Sequence, residues 1–190
     1  MKYYFTLAFA ATLYVASFAG EVIAQQAKHL LTIELKDGPV IIELDPKAAP
    51  KHVAQMETLA KNGEYDNVAF HRVIEGFMAQ TGDVQHGNMK KNFNARMAGT
   101  GGSSLPDLPA EFSDIPFERG TVGMARSSDP NSANSQFFIM FAPGDFLNGQ
   151  YTVVGKVVSG MENVDKIKRG QGGNGEVSDP DRMIKVTVGQ

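Results

Sequence analysis

The side chains with most to offer chemistry lie in one run, Phe70-His71-Arg72-Val73-Ile74-Glu75-Gly76-Phe77-Met78-Ala79-Gln80-Thr81-Gly82-Asp83. Arg72 brings a guanidinium that is always charged and holds its donors in a rigid plane. Gln80 brings a carboxamide, and Phe70, Val73, Ile74, Phe77 and Met78 surround both with apolar surface. Gly76 lets the run break into two short strands around a turn. In two extended arms, Arg72 and Ile74 share one face, and Met78 and Gln80 share another. A fixed cation and an amide beside an aromatic ring and a thioether suit a ligand with an apolar ring and a peptide bond. They suit proton transfer and metal binding poorly. His71 adjoins Arg72, but neighbours on a strand point to opposite faces. It is therefore expected to turn inward or toward a loop, where a hydrogen bond from its ring would hold the strand.

Two further stretches support the first. Gly123-Met124-Ala125-Arg126 leads through a polar turn, Ser127 to Asn134, into Ser135-Gln136-Phe137-Phe138-Ile139-Met140. Phe146-Leu147-Asn148-Gly149-Gln150-Tyr151 follows, and then Val153 to Val157. Together the three resemble the cyclophilins, the cyclosporin-binding family of peptidyl-prolyl cis-trans isomerases, and the likeness runs from about His29 to the C-terminus. The resemblance implies that Arg72 and Gln80 are catalytic, Gln80 by holding the substrate backbone. It implies a proline pocket of Phe77, Met78, Phe138 and Leu147. Ala125 and Gln136 would line the groove, and Gly99, in the run Gly99-Thr100-Gly101-Gly102, would border it. Four positions depart from the family pattern. Arg126 replaces a common asparagine, in a role that uses main-chain groups. Ser127 stands where alanine is common. Tyr151 stands for histidine and is expected to border the pocket still. Phe146 stands where cyclosporin-sensitive members carry tryptophan, so weak cyclosporin binding is expected. The partners implied are Pro-containing or unfolded polypeptides. A donor at the prolyl nitrogen is needed for turnover and not for binding, so Arg72 favours an enzyme over a module that only holds peptide.

These residues need elements to position them. His29 to Leu35 alternates around Leu31, Ile33 and Leu35 and reads as a strand. A turn at Lys36-Asp37-Gly38-Pro39 and a return strand from Val40 to Leu44 complete a hairpin. Pro50 opens a helix that Gly63 closes, with Val53, Met56, Leu59 and Ala60 as its core face and His52, like His29, at the surface. Further strands are expected over Thr121 to Ala125, Gln136 to Phe141, Tyr151 to Val158 and Met183 to Val188. One helical turn is expected over Gly144 to Asn148 and a second helix over Met161 to Arg169. Strands with turns and two helices make a mainly β fold. The resemblance specifies a closed eight-stranded antiparallel β-barrel capped by two α-helices. Val84 to Pro116 has no periodicity, and a loop that long is more often functional than idle.

Composition narrows the classes further. The chain of 190 residues has a net charge of −3 and a pI near 5.8, with no basic stretch, which argues against a nucleic-acid partner. It has no cysteine, so disulfides, thiolate nucleophiles and Cys-held metals are excluded. The four histidines are scattered, and no metal or cofactor is expected. Gly170-Gln171-Gly172-Gly173-Asn174-Gly175 fits G-x-G-x-x-G, but a helix precedes it and Ser178-Asp179-Pro180 follows, so it reads as a flexible loop and not a dinucleotide site. Residues 1–24 read as a signal peptide: Lys2, an apolar run from Tyr3 to Phe18, then Val22-Ile23-Ala24. Cleavage there leaves Gln25 to Gln190 as one domain, periplasmic, or secreted if there is no outer membrane, free of the membrane and expected to be a monomer.

Overall fold

The computed structural model describes residues 28–189 apart from residue 92, so the expected leader lies outside the described residues. Eight strands are present: β1 Leu30–Leu35, β2 Gly38–Leu44, β3 Arg72–Ile74, β4 Met78–Thr81, β5 Thr121–Met124, β6 Phe137–Met140, β7 Val153–Ser159 and β8 Lys185–Gly189. They form a single sheet in the order β3-β4-β6-β5-β7-β2-β1-β8, with antiparallel neighbours throughout.

Alternation accounts for the layers. In β1 the buried residues are Leu31, Ile33 and Leu35; Leu31 lies opposite Ile42 and Ile33 opposite Val40 on β2. On β6 the alternation serves two clusters. Phe137 and Ile139 join the main core with β1, β2 and α1, while Phe138 and Met140 join a smaller one with Met78, Phe117, Leu147 and Val153. Side chains two apart share a face, so one strand separates the barrel core from the surface that carries the site.

Helix α1, Pro50–Lys61, opens on Pro50 and turns Val53, Met56, Leu59 and Ala60 inward against β8. Its N-cap residue, Ala49, offers no side-chain bond. Glu111, from the long segment after β4, takes that role by accepting the Lys51 and His52 backbone N–H groups and His52 Nδ1, the last at 2.7 Å. His52 is therefore fully buried and not at the surface as its sequence context suggests. The segment after β4 is itself tied down by single bridges, Val68 to Asn88 and Leu108 to Ala133.

Two expectations fail. The barrel is not closed: the sheet curls into an open half-barrel whose edges, β3 and β8, do not pair. The chain between Val164 and β8 crosses that gap and makes only isolated bridges, Ala69 to Arg182 and Arg72 to Glu176. Pro180 and the glycines of 170–175 keep this stretch from forming a ladder. The second helix is also shorter than expected. α2 is Met161–Val164, after which Lys166 and Ile167 donate three residues back, and Lys168 N–H leaves the helix axis for Asp181 Oδ2.

Candidate active site

β3 and β4 form a hairpin in which Arg72 lies opposite Gln80 and Ile74 opposite Met78, with Gly76 in the turn at φ +68°. Residues directly opposite in an antiparallel pair project to the same side. All four therefore share one face, and the two-face expectation is corrected. β6 pairs on the far side of β4 and brings Phe138 opposite Gln80.

From Arg72 a line of amides runs across the groove. Arg72 Nη1 donates to Gln80 Oε1 at 3.3 Å, Gln80 Nε2 to Gln136 Oε1 at 3.0 Å, and Gln136 Nε2 to the Gly99 and Gly101 carbonyls at 3.0 and 2.8 Å. A guanidinium can only donate and a carbonyl can only accept, so the two ends fix how both amides face. The Gly99 and Gly101 N–H groups donate to Asp83 Oδ2, and those of Gln85 and His86 to Asp83 Oδ1. A fully buried carboxylate thus folds the long segment back against the groove. Nothing about Asp83 in the sequence marks it for this; its partners are backbone groups up to 18 residues away, which leave no side-chain signature.

Arg72 is held at a second point. Its Nε donates to the Asn174 carbonyl at 3.0 Å. Among the described residues Nη2 has no hydrogen-bond acceptor, and Arg72 itself lines the groove. The glycine run 170–175, which reads in the sequence as a flexible loop, thus supports Arg72. Gly175, at φ +71°, lies so close to β3 that a Cβ there would collide with Ile74 Cγ1 and approach Val73 O at 3.1 Å.

Beside Arg72 opens a cavity of 280 Å³ lined by Arg72, Phe77, Met78, Gln80, Ala125, Arg126, Phe138, Phe146, Leu147 and Tyr151. Met78, Phe138 and Leu147 are buried in its floor. Phe138 stacks on Phe117, with ring centres 5.7 Å apart, and the Tyr151 ring meets Phe138 edge-on. Gly123 beneath makes this possible, since a Cβ there would come within 2.6 Å of both phenylalanine rings. A second cavity of 230 Å³ adjoins the first and contains Gly99, Ser127 and Gln136, with Gln80, Ala125 and Arg126 common to both. All thirteen residues singled out in the sequence thus line one of two adjoining cavities. A larger groove of 630 Å³ elsewhere contains none of them, and its Lys28, Lys47 and Lys156 are interspersed with Glu43, Asp45 and Glu118. It lacks the convergent donors beside an apolar floor that mark a small-ligand site.

His71 faces away from the cavity and is buried, its ring against Gly99. Burial pushes its pKa down to about 4, against the upward pull of the Asp83 charge and the Ala69 carbonyl. Among the described residues neither ring nitrogen makes a hydrogen bond of proper geometry, so the expected strand-holding bond is not found there.

Known proteins fit this geometry. Residues 30–188 match the family described as cyclophilin type peptidyl-prolyl cis-trans isomerase/CLD. The chain is 62% identical over 185 residues to a probable peptidyl-prolyl cis-trans isomerase of Brucella suis, a match covering 95% of this chain and 94% of that one. It is 38% identical over 155 residues to a peptidyl-prolyl cis-trans isomerase of Acinetobacter baylyi, covering 78% and 77%. A cyclophilin from Hirschia baltica superposes with a TM-score of 0.70 at 26% identity, covering 83% of this chain and 73% of that one. A cyclophilin type peptidyl-prolyl cis-trans isomerase of Cryptosporidium parvum, crystallised in the presence of the dipeptide Ala-Pro, superposes with a TM-score of 0.69 at 25% identity, covering 85% and 99%. Matched from residue 30 to residue 188, and by a relative at 62% identity over almost its full length, the chain belongs to the cyclophilins and is a peptidyl-prolyl cis-trans isomerase.

Proposed function

We propose that Arg72 drives the rotation, and that the chains served are exported proteins still folding. A peptide bond is planar because the nitrogen lone pair is delocalised, and turning it costs about 18–20 kcal/mol. Cis and trans X-Pro lie close in energy, so the barrier is the entire task. No covalent bond breaks. The catalyst must bind the twisted amide better than either planar form. Twisting localises the lone pair, and the nitrogen then accepts a hydrogen bond it could not accept before.

The observation that carries the reading is the state of Arg72. Nε and Nη1 are engaged by Asn174 and Gln80, Nη2 has no acceptor among the described residues, and Arg72 lines the apolar cavity. A donor held in place from two sides needs no reorganisation as charge develops. One such bond supplies roughly 3–4 kcal/mol. Bringing a reaction that takes tens of seconds to roughly 10³ per second requires about 7 kcal/mol. The remainder comes from gripping the proline ring over Met78, Phe138 and Leu147 and from holding the substrate backbone at Gln80. The Ala-Pro dipeptide present with the Cryptosporidium parvum relative supports Pro-containing peptides as substrates. Cyclosporin should bind weakly, because Phe146 has a ring and no donor.

In a prolyl isomerisation assay, Arg72→Ala should lose two or more decades of kcat/KM, about 2.7 kcal/mol. Arg72→Lys should also be poor, since a point charge does not reproduce the fork. Near-normal turnover in both would remove Arg72 from the mechanism.

The export role rests on the leader, residues 1–24; the absence of cysteine is compatible with an oxidising compartment. On this reading the protein is periplasmic, or secreted where there is no outer membrane, and we take it to act as a monomer. Mass spectrometry of exported protein should find an N-terminus at Gln25; an intact Met1 in the membrane fraction would refute cleavage.

A further inference from the structure

Arg126 lines both cavities, at the partition between them. Its Nε and Nη2 donate to the Gln150 carbonyl at 3.3 and 2.9 Å, and its Nη1 to the Ser127 carbonyl at 2.9 Å. The guanidinium carbon stands 4.4 Å from the centre of the Tyr151 ring. Two carbonyls and an aromatic face therefore hold the group in one plane, at low cost in rotamer freedom when a ligand arrives. A guanidinium has five N–H donors. Those three bonds leave one N–H on each Nη without a protein acceptor among the described residues.

The surroundings supply no counter-charge. The two linings contain Arg72 and Arg126 and no Asp or Glu, on a chain whose net charge is −3. The nearby acids are otherwise engaged or outside both linings: Asp107 accepts from Asn134, Asp129 Oδ1 accepts from Asn131 N–H, and Asp145 begins the 3₁₀ turn before Phe146. The Ser127 and Ser132 hydroxyls in the second cavity bond each other at 2.7 Å. What the partition lacks is an anion, and the proline's neighbours on the substrate are the groups able to bring one.

We infer that Arg126, posed on Tyr151 between the two cavities, selects substrates that carry a carboxylate within two residues of the proline. This rests on the prolyl-isomerase reading of the groove. It adds a preference that the apolar floor and the two amides do not explain, because they carry no charge, and that Arg72 does not supply on the reading above, where it is committed to the prolyl nitrogen. A planar fork pairs with a carboxylate more strongly than with an amide of the same shape. The comparison of Glu with Gln therefore isolates the charge.

The test uses four pairs of peptides that differ only in Glu against Gln at the two positions before and the two after proline. For the wild-type protein, kcat/KM at one position should favour Glu by about three- to tenfold at low salt. The ratio should fall toward one at high salt. Arg126→Gln should bring it close to one, and Arg126→Lys should retain part of it. The salt dependence of the wild-type ratio tests the inference even where a variant fails to fold. Ratios near one at all four positions, with an Ala-Pro peptide still turned over, would overturn the inference and leave the isomerase reading intact. So would a ratio unchanged in Arg126→Gln. No turnover of any peptide would overturn the isomerase reading, and this inference with it.

Discussion

Phe146 leans on Phe77 with ring centres 5.5 Å apart and is 71% exposed, the most open of the large apolar side chains among the described residues. It covers the mouth of the pocket and offers a ligand no hydrogen bond. A ligand acceptor left unpaired costs about 1–3 kcal/mol. Inhibition by cyclosporin should then need about ten to a hundred times more drug than in members with tryptophan at this position. Phe146→Trp should tighten binding in a titration, and an unchanged Kd would mean that the missing donor is not the cause. Side chains of this kind were the legible part of the site. Arg72, Gln80, Phe138 and Tyr151 could be picked out because residue type and order carry their role. Asp83 and Asn174 could not, because one works through backbone N–H groups and the other through its own carbonyl. Arg126 was visible as an odd residue; its stacking on Tyr151 emerges only in three dimensions.

At the level of elements, the glycine run 170–175 acts as a strut. Val73 N–H donates to the Gly175 carbonyl at 2.7 Å and Gly170 N–H to the Val73 carbonyl at 2.8 Å, so the run is clamped to β3 next to Arg72. Gly175→Ala places a Cβ against Ile74 at a left-handed φ, which costs about 1–2 kcal/mol before the clash is counted. The strut should move, and the Asn174 carbonyl with it. On the mechanism proposed above, Arg72 bonds the prolyl nitrogen only in the transition state, so kcat and kcat/KM are expected to fall together by about tenfold. The Arg72 Nε–H resonance should shift in the NMR spectrum. Unchanged kcat with a displaced resonance would show that Arg72 does not depend on this support. Most strands were readable from alternation, as Leu31, Ile33 and Leu35 illustrate. The unpaired edges were not, because whether β3 and β8 meet depends on what the irregular stretch from 170 to 183 does. α2 misled because Ile167 keeps its buried, helix-like spacing after the helix has ended.

For the molecule as a whole, acid is the weak side. The folded state holds His71 neutral down to about pH 4, while the unfolded chain takes up that proton near the ordinary value of 6.5. Between those values the unfolded state binds more protons, so stability falls as pH drops, on the order of 3 kcal/mol across the window. Glu111 works in the same direction. Burial raises its pKa, but the bonds from His52 and the α1 backbone outweigh this and hold it below 4.5. Its contribution is present above 4.5 and is lost as pH falls through the lower folded value. The thermal midpoint should decline from pH 6.5 toward pH 4, and His71→Gln should flatten that limb; a midpoint constant over the range would contradict the account. Turnover should behave differently. Arg72, Gln80 and Gln136 do not change charge from pH 6 to 9, so kcat/KM should be level there. The sheet order has one more consequence. β1 pairs with β8, Leu30 opposite Gly189, and β1 is the first strand made and β8 the last. The outer edge of β1 thus has no partner until the residues of β8 have left the ribosome. Making the first strand of the hairpin and completing the sheet are therefore separated by the synthesis of nearly all the chain between them.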